Sequence, residues 1–391
     1  MTAPYANDSR QDQVEGVPDL QRTGPGTLAG RFLRRFWQPV HRVEDLTAGP
    51  AKPIRIMSED FTLYRGEAGA AHLVAFRCAH RGTQLSTGWV EGDAIRCFYH
   101  GWAYDGNGQC VEQPAEPEPF CSRIKIKAYP VQEYLGLIWA YLGEGEPPEL
   151  PRYPEFDATP ELLRTGAYVR ESNFFTHIDN IFDHAHVPFV HRFRDGYCSG
   201  QGNAEESDWG VAERIVEQDG RERYSHFGMP NICELRPNLQ GGRPGMQWGV
   251  PIDDTRHWNF NINAGRTPEE AAALRADPGP EDPEVRQFIY QQTHAVLEGR
   301  LHVEEAMSPT GRRANINIQD NIAQAGQMGG PGYLPDLRAE HLGAEDVGLV
   351  MIRKLWIREL RSLAEGAPLK EWRHPGTQVW GTPLQVLTGS R

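Results

Sequence analysis

Two short pairs of metal-ligating side chains lie in CAHRGTQLSTGWVEGDAIRCFYHGWAYDGNG, residues 78–108. The first pair is Cys78-Ala79-His80, and the second, after sixteen intervening residues, is Cys97-Phe98-Tyr99-His100. Each pair joins one thiol to one imidazole. A [2Fe–2S] cluster in which two thiolates bind one iron and two imidazoles bind the other takes its ligands from two such loops. The stretch therefore predicts a one-electron carrier.

A zinc site is the alternative, because Cys₂His₂ zinc sites also take their ligands in close pairs. Zinc patterns usually place Cys with Cys and His with His, whereas each pair here is mixed. Gly82 follows the first pair and Gly101 the second, and glycines allow the backbone to approach the sulfides closely. We therefore interpret this site as a Rieske [2Fe–2S] centre with four ligands: Cys78, His80, Cys97 and His100.

The residues around this centre predict short strands. Ile54 and Ile56 alternate with polar neighbours before a turn, and Phe61 and Leu63 alternate after it, which is typical of a hairpin. Further on, GEGEPPELPRYP (residues 143–154) has four prolines and three glutamates in twelve residues, which is typical of an exposed connection. We place the end of an all-β domain there, between residues 145 and 146.

A second candidate site lies in DNIFDHAHVPFVH, residues 179–191. On a helix, Asp183 and His186 would share a face because they are three residues apart. His191 is five residues from His186, so an ideal helix would point it elsewhere, but Pro188 bends or ends a helix between them. Two imidazoles and a carboxylate that leave open positions are typical of non-haem Fe(II) that activates O₂.

The carboxylate of such a site usually comes from a distant segment. Asp320, in NIQDNI (residues 317–322), is the best candidate because it is a carboxylate set between the apolar Ile318 and Ile322, and a lone buried carboxylate would be costly. A helix cap is the alternative for Asp320. For the segment with His186 and His191, the alternatives are a zinc site or a hydrogen-bonded polar cluster in the core.

The rest of the second half predicts a mixture of strands and helices. Residues 257–262 alternate as in a strand with one buried face, and residues 267–275 and 282–299 have helical composition. Leu349, Ile352, Trp356, Leu360 and Leu363 recur at helical spacing before Gly366, and we interpret this stripe as core packing.

Composition excludes several classes of function. At 391 residues the chain is long enough for two domains, and its net charge of −13 argues against a nucleic-acid partner. It contains no run of about 18 apolar residues, so no membrane association is expected. The polar start lacks the apolar core of a secretory signal, which favours a cytoplasmic location. Four further cysteines are interpreted as free thiols: Cys110, Cys121, Cys198 and Cys233.

Together the motifs resemble the oxygenase (α) component of Rieske non-haem iron ring-hydroxylating oxygenases, over nearly the whole chain. The details are similar to the phthalate-dioxygenase-like branch, with its aryl-ether demethylases and phenoxybenzoate-type oxygenases. The resemblance rests on three segments: TGPGT at 23–27, the ligand pairs with their continuation HGWAYDGNG at 100–108, and NIFDHAHVPFVH at 180–191. One departure is QMGGPGY at 327–333, where many relatives have Gln-Gly-Pro-Ile-x-Asp-Arg.

The resemblance implies an α+β fold: a β-rich Rieske domain followed by a helix-grip catalytic domain of antiparallel sheet and helices. We divide the chain into an N-terminal segment that packs on the catalytic domain (residues 1–45), the Rieske domain (46–145) and the catalytic domain (146–391). The implied assembly is a head-to-tail homotrimer, because the two metals of one protomer are too far apart for electron transfer. Asp183 would then bridge His186 and a cluster histidine of the adjacent subunit, for which His100 is the candidate.

The implied activity is that of a terminal oxygenase that activates O₂ at a mononuclear Fe(II) held by His186, His191 and Asp320. Its substrate would be an aromatic acid or aryl ether, and the outcome mono- or dioxygenation or O-demethylation. Since the sequence has neither a GxGxxG nor a P-loop pattern, electrons from NADH or NADPH would arrive through a separate flavin and iron–sulfur reductase.

The substrate pocket is expected to be mostly apolar. Four aromatic residues are candidate lining, and the alternative for each is ordinary core packing: Phe182, Trp248, Trp258 and Phe260. Two other classes of protein remain open on the residues alone. A Rieske electron-transfer protein without oxygenase activity would hold the cluster but no mononuclear iron. A zinc-stabilised interaction protein would be colourless.

Overall fold

A computed structural model describes residues 18–191, 201–216, 220, 222–236, 245–277, 279–306, 312–328 and 333–374. Contacts divide the chain into two compact units. The first is Arg34–Leu150, and the second combines the residues before Arg34 with those from Pro151 onward. Of the cysteines, Cys198 lies outside the described residues. Cys110, Cys121 and Cys233 are free thiols.

The first unit is built almost entirely of short strands. Its eleven strands are β1 (Trp37–Arg42), β2 (Lys52–Ile56), β3 (Glu59–Arg65), β4 (Ala71–Ala75), β5 (Trp89–Glu91), β6 (Ala94–Arg96), β7 (Ala103–Tyr104), β8 (Cys110–Glu112), β9 (Ala128–Tyr129), β10 (Val131–Tyr134) and β11 (Leu137–Tyr141). They form three sheets, with the strand orders β1-β11-β10, β2-β3-β4-β9 and β5-β6-β7-β8.

The predicted hairpin is confirmed as β2 and β3, joined at Met57-Ser58. Both turn residues have positive φ, 51° and 61°, the backbone of the two-residue turns that match strand twist. Strand β1 pairs with β11, so the contacts of residues 37–42 lie in this unit. The division drawn from the sequence, at residues 45 and 145, put that strand with the N-terminal segment.

The second unit contains one large antiparallel sheet and most of the helices. Seven strands lie in the order β12-β18-β17-β16-β15-β14-β13. These are β12 (Leu163–Arg170), β13 (Gln201–Glu206), β14 (Gly210–Val216), β15 (Glu222–Gly228), β16 (Ile232–Arg236), β17 (Gly245–Pro251) and β18 (His257–Ala264). The helices are α1 (Leu28–Leu33), α2 (Pro154–Asp157), α3 (Phe174–Phe182), α4 (Val187–Val190), α5 (Pro268–Ala276), α6 (Pro283–Leu297), α7 (Arg312–Gln327) and α8 (Val347–Glu365). The predicted α+β fold is confirmed.

Local capping explains where the predicted helices begin and end. The side chains of Thr267 and Asp282 accept backbone N–H groups at the starts of α5 and α6. Gly366, in the left-handed region at φ 68°, ends α8. Within the described ranges, no helix is long and apolar enough to cross a membrane.

Helix α7 has two buried stripes of opposite character. Ala314 and Ile318 belong to a cluster with Ile289 of α6, and this apolar stripe anchors the helix. The other stripe is polar and equally buried, and its members recur three or four residues apart: Asn317, Asp320, Asn321 and Gln324. A polar stripe turned inward is expensive unless it is hydrogen-bonded, and it marks the face of α7 that belongs to a site.

Candidate metal centres

The two Cys/His pairs of the first unit lie on matching loops. Cys78 donates its N–H to the Thr83 carbonyl at 2.8 Å and accepts from Gly82 N–H at 2.9 Å. In the second loop Cys97 donates to the Trp102 carbonyl at 2.8 Å and accepts from Gly101 N–H at 3.1 Å. Gly82 and Gly101 have φ of 76° and 74°, a conformation that other residues rarely adopt. Each pair therefore lies in a tight turn that ends at a glycine with positive φ.

These loops bring the four predicted ligands of the first centre together. The rings of His80 and His100 lie 4.5 Å apart, centroid to centroid, while both cysteines are buried. Burial, with the adjacent Cys78 thiol, raises the pKa of the Cys97 thiol, whereas N–H groups of Tyr99 and His100 oppose that rise. The buried Nδ1 of His80 has no hydrogen-bond partner among the described residues. Two inner thiols and two outer imidazoles fit a [2Fe–2S] cluster with mixed ligation.

Two aromatic residues support this centre. The Tyr104 hydroxyl accepts the Ala79 N–H at 3.1 Å and lies 3.2 Å from Cys78 Sγ. Because its oxygen already accepts one hydrogen bond, its own proton is available to the sulfur. Trp102 stacks on His80 with ring centroids 4.6 Å apart and an interplanar angle of 8°, which fixes the imidazole plane.

The segment with His186 and His191 folds differently from the helix that the sequence predicted. Helix α3 ends at Phe182, and Asp183 is extended, with φ −82° and ψ 106°. Its side chain accepts N–H groups of Ala185 and His186 at 2.8 and 3.2 Å, a local turn that competes with the helix. The prediction that Asp183 and His186 share a helix face is therefore wrong. Pro188 lies in the first turn of the separate helix α4, a position that proline favours.

The structure nevertheless brings the second set of predicted ligands together. Asp320 Oδ1 lies 3.2 Å from His191 Nε2 and 3.7 Å from His186 Nε2. One ligand atom from each of the three side chains lies within 4.8 Å of the others. Asp320 lies inside α7, which excludes its alternative interpretation as a helix cap.

In each imidazole, the ring nitrogen that faces away from Asp320 is hydrogen-bonded. His186 Nδ1 lies 2.5 Å from the Asp183 carbonyl oxygen, and His191 Nδ1 lies 2.9 Å from Gln319 Oε1. Since both partners are acceptors, each Nδ1 carries a proton, and in the neutral imidazole each Nε2 keeps the lone pair that binds a metal. Burial lowers the pKa of His186 against the opposing effect of Asp320, which favours the neutral imidazole. Against the effect of burial, the hydrogen bond and charge of Asp320 raise the pKa of His191, so a cation that binds there would displace a proton from this imidazole. This donor set fits a ferrous ion.

The carboxylate of Asp183 contacts His186 less directly than expected. Its Oδ2 is 3.7 Å from His186 Nδ1, beyond hydrogen-bond distance, because the main-chain carbonyl of Asp183 takes that role. The side chain is 31% exposed, and Oδ2 accepts no hydrogen bond from the part of the chain that the structure describes. Asp183 therefore holds His186 through its backbone and leaves one carboxylate oxygen available at the surface.

Three of the four aromatic residues predicted to line the pocket lie on the face of the sheet opposite the metal ligands. Arg170 pairs with His257, and Trp258 with Val169, so Trp258 points to the face opposite Arg170. Phe260 shares the face of Trp258, and Trp248 pairs with Phe260. Arg170 contacts α7, so the face of the metal ligands is the other one. Phe182 packs in the core against Phe227, with ring centroids 6.1 Å apart.

The sheet face towards α7 is polar instead. Asn259, Asn261 and Asn263 are alternate residues of β18. The Asn263 amide donates to Asn261 Oδ1 at 2.9 Å, the Asn261 amide donates to Asn259 Oδ1 at 3.2 Å, and the Asn259 amide donates to Gln247 Oε1 at 2.8 Å. These amides, together with Arg170 and Gln319, are functional residues that were not predicted from the sequence. The polar spacing of α7 and the alternating asparagines of β18 were the available signals.

Comparison with known proteins agrees with this geometry. The Rieske [2Fe-2S] domain family matches residues 36–134. The chain is 35% identical over 313 residues to the phenoxybenzoate dioxygenase subunit alpha of Ectopseudomonas oleovorans, a match that covers 71% of this chain and 75% of the relative. The chain belongs to the Rieske non-haem iron oxygenases.

Two further likenesses extend over most of this Rieske oxygenase. It is 29% identical over 362 residues to the 5,5'-dehydrodivanillate O-demethylase oxygenase subunit of Sphingobium sp., which covers 89% of this chain and 80% of the relative. Its fold is similar to the terminal oxygenase of carbazole 1,9a-dioxygenase from Novosphingobium sp. KA1, with a TM-score of 0.61 and 22% identity over 84% of this chain and 93% of that one. The protein is thus an enzyme, the terminal oxygenase component of a Rieske system. Its cofactors are a Rieske [2Fe–2S] cluster and a mononuclear non-haem iron.

Proposed function

We propose that this terminal oxygenase holds its cluster with one set of ligands and its ferrous ion with another: Cys78, His80, Cys97 and His100 for the cluster, and His186, His191 and Asp320 for the iron. One observation carries the proposal: two imidazole Nε2 atoms, each with its Nδ1 bonded to an oxygen, converge on Asp320 Oδ1. When bound, the cluster supplies single electrons and the ferrous ion activates O₂.

The substrate in this proposal is an aromatic small molecule that carries a carboxylate or an ether oxygen. Two relatives, named a phenoxybenzoate dioxygenase and a dehydrodivanillate O-demethylase, support an aromatic acid or aryl ether. On the sheet face towards α7, the amides of Asn261 and Gln247 would offer hydrogen bonds to such oxygens. The reaction is hydroxylation by one or two oxygen atoms, or O-demethylation.

Electrons in this scheme come from NADH or NADPH through a separate flavin and iron–sulfur reductase. The sequence carries neither a GxGxxG nor a P-loop motif, and structures of related fold include complexes between an oxygenase and a ferredoxin. The cytoplasmic location predicted from the sequence belongs to the same proposal.

The proposed assembly is a head-to-tail homotrimer in which Asp183 of one subunit meets His100 of the next. The free oxygen of the Asp183 carboxylate and the half-exposed position of His100 support this contact. Asp183 holds His186 through its carbonyl at 2.5 Å, so the route from His100 to the iron ligand would cross a single residue.

A substrate screen tests the proposed reaction. The purified protein is supplied with a surrogate reductase and NADH, and O₂ uptake and product mass are followed for aromatic acids and aryl ethers. Coupled O₂ uptake, with a product that gains one or two oxygens or loses a methyl group, is the expected result. If the cluster is reduced and reoxidised while no substrate is converted, and His186→Ala leaves that behaviour unchanged, the protein is an electron carrier and the proposal fails.

A further inference from the structure

We infer that Arg170 is a positioning residue that holds the iron carboxylate so that only one of its oxygens faces the metal. This inference rests on the proposed function, namely that iron binds between His186, His191 and Asp320. Arg170 is the last residue of β12 and is 4% exposed. It touches neither imidazole in the described contacts and acts through Asp320.

The two oxygens of the Asp320 carboxylate face opposite neighbours. Oδ1 lies 3.2 Å from His191 Nε2 and 3.7 Å from His186 Nε2. Oδ2 lies 3.8 Å from Arg170 Nη2. The guanidinium therefore stands on the side of the carboxylate away from the imidazoles, where it attracts the oxygen that the metal position does not use.

A fork of hydrogen bonds fixes the guanidinium against α7. Nη1 donates to Asn321 Oδ1 at 2.9 Å, and Nη2 donates to Asn317 Oδ1 at 2.8 Å. Asn317 and Asn321 are one helical turn apart and lie on either side of Asp320 in sequence. A planar guanidinium that bonds to both therefore lies next to the Asp320 side chain. The Tyr168 hydroxyl accepts from Nη2 at 3.3 Å and limits movement from the strand side.

Charge reinforces this position. A buried guanidinium needs a counter-ion because removing its charge from water is costly. Among the described residues, Asp320 provides the one carboxylate within 4.0 Å of Arg170. With a cation bound, Asp320 would share its negative charge between the guanidinium and that cation. Coordination through Oδ1 alone satisfies both, whereas coordination through both oxygens would draw Oδ2 from Arg170.

Co(II) added to the iron-depleted catalytic site of the full-length protein reports this coordination without turnover. Because the [2Fe–2S] cluster also absorbs visible light, the Co(II) spectrum is taken as the difference from the same protein before Co(II) is added. The visible absorption of protein-bound Co(II) weakens as the number of ligands rises, and geometry is diagnostic of the ligand set. In Arg170→Met the carboxylate is expected to bind through both oxygens. One Co(II) should still bind, but its visible absorption should fall several-fold.

Arg164→Met is the matched control. Arg164 lies on the same strand and the same sheet face as Arg170, and it also forms a partly buried ion pair, with Glu281 at 2.8 Å. Its loss removes a sheet-to-loop contact but no contact with Asp320. The Co(II) spectrum of this variant should match that of the wild type.

Two milder variants keep the inference testable if Arg170→Met does not fold. Arg170→Lys retains the cation and should retain most of the wild-type spectrum. Asn317→Asp offers the guanidinium a competing carboxylate of the same size, and it should weaken the absorption as Arg170→Met does.

The inference is overturned if Arg170→Met and Asn317→Asp both give the wild-type spectrum, or if Arg164→Met weakens it equally. A different result bears on the proposed function. If wild-type protein binds no Co(II), or if Asp320→Asn leaves its spectrum intact, the metal does not lie at Asp320.

Discussion

The side-chain oxygen of Gln319 lies 2.9 Å from Nδ1 of His191. Gln319 precedes Asp320 on α7, so a single turn of helix supplies both the acceptor that orients one imidazole and the carboxylate that it faces. Removing a partner of this kind typically lowers metal affinity about 10–100-fold. Gln319→Leu should therefore lower the Fe(II) affinity of the protein by that order, as measured by competition with a chelator. Gln327→Leu, at the exposed end of the same helix, should leave it unchanged, and equal affinities for both variants would contradict the role of Gln319.

Tyr104 should set the potential of the cluster. Hydrogen bonds to the sulfur ligands raise the potential of iron–sulfur clusters, and the Tyr104 hydroxyl lies 3.2 Å from Cys78 Sγ. Tyr104→Phe should keep the cluster but lower its midpoint potential in a redox titration followed by EPR. Tyr99→Phe, whose side chain is exposed, is the control. A Tyr104→Phe potential equal to that of the wild type would show that the sulfur receives no hydrogen bond.

Asp183→Asn should separate metal binding from electron transfer. The amide oxygen can still accept the N–H groups of Ala185 and His186, so the turn and both metals should remain, but the charge offered to the adjacent subunit is lost. Product formation should nearly vanish, while iron content and reduction of the cluster stay normal. Asp336→Asn, at an exposed position, is the control. Wild-type rates of product formation in Asp183→Asn would refute the bridge.

His257 should make the protein sensitive to mild acid. Burial, opposed by the hydrogen bond to the Ser172 carbonyl, lowers the pKa of His257 from 6.5 to about 3. The unfolded chain therefore binds the proton more readily below 6.5, and stability that is complete above that value is lost as the pH falls towards 3. Each pH unit below 6.5 should cost up to about 1.4 kcal/mol for this residue.

His257→Asn should reduce that loss because the amide can still donate to Ser172 without becoming charged. Urea denaturation of wild type and variant at about pH 7 and about pH 5.5 measures the difference. His302→Asn, on the surface, should behave as the wild type does. An equal loss of stability in wild type and His257→Asn would show that this histidine does not couple to folding.

Prediction from sequence succeeded where the information was local. The Cys-x-His and Cys-x-x-His pairs specify their own turns, and the loops place the ligands as the spacing requires. Asp320 was recognisable as a carboxylate between Ile318 and Ile322. Helical composition placed the starts of α5 and α6 at Thr267 and Asp282, whose side chains cap these helices.

Prediction from sequence failed where strand register or contacts between distant segments decide the position of a side chain. Trp258 and Asn259 are neighbours in sequence, but the pairing of β18 with β12 places their side chains on opposite faces of the sheet. The amides therefore lie on the face of the metal ligands, and the aromatic residues lie on the other face. Asp183 ended α3 with a side-chain turn that helical periodicity does not reveal. Arg170 lies 150 residues before Asp320 in sequence, and only their contact at 3.8 Å links it to the metal.

Iron content shows whether the chain holds both metal centres. After full reconstitution with iron and sulfide, three irons per chain are expected, two in the cluster and one mononuclear. His186→Ala should retain the cluster and its EPR signal but lose the single iron, whereas Cys97→Ser should lose the cluster. Fewer than three irons in the wild type, zinc in place of the cluster, or an unchanged count in His186→Ala would contradict the assignment of these two centres.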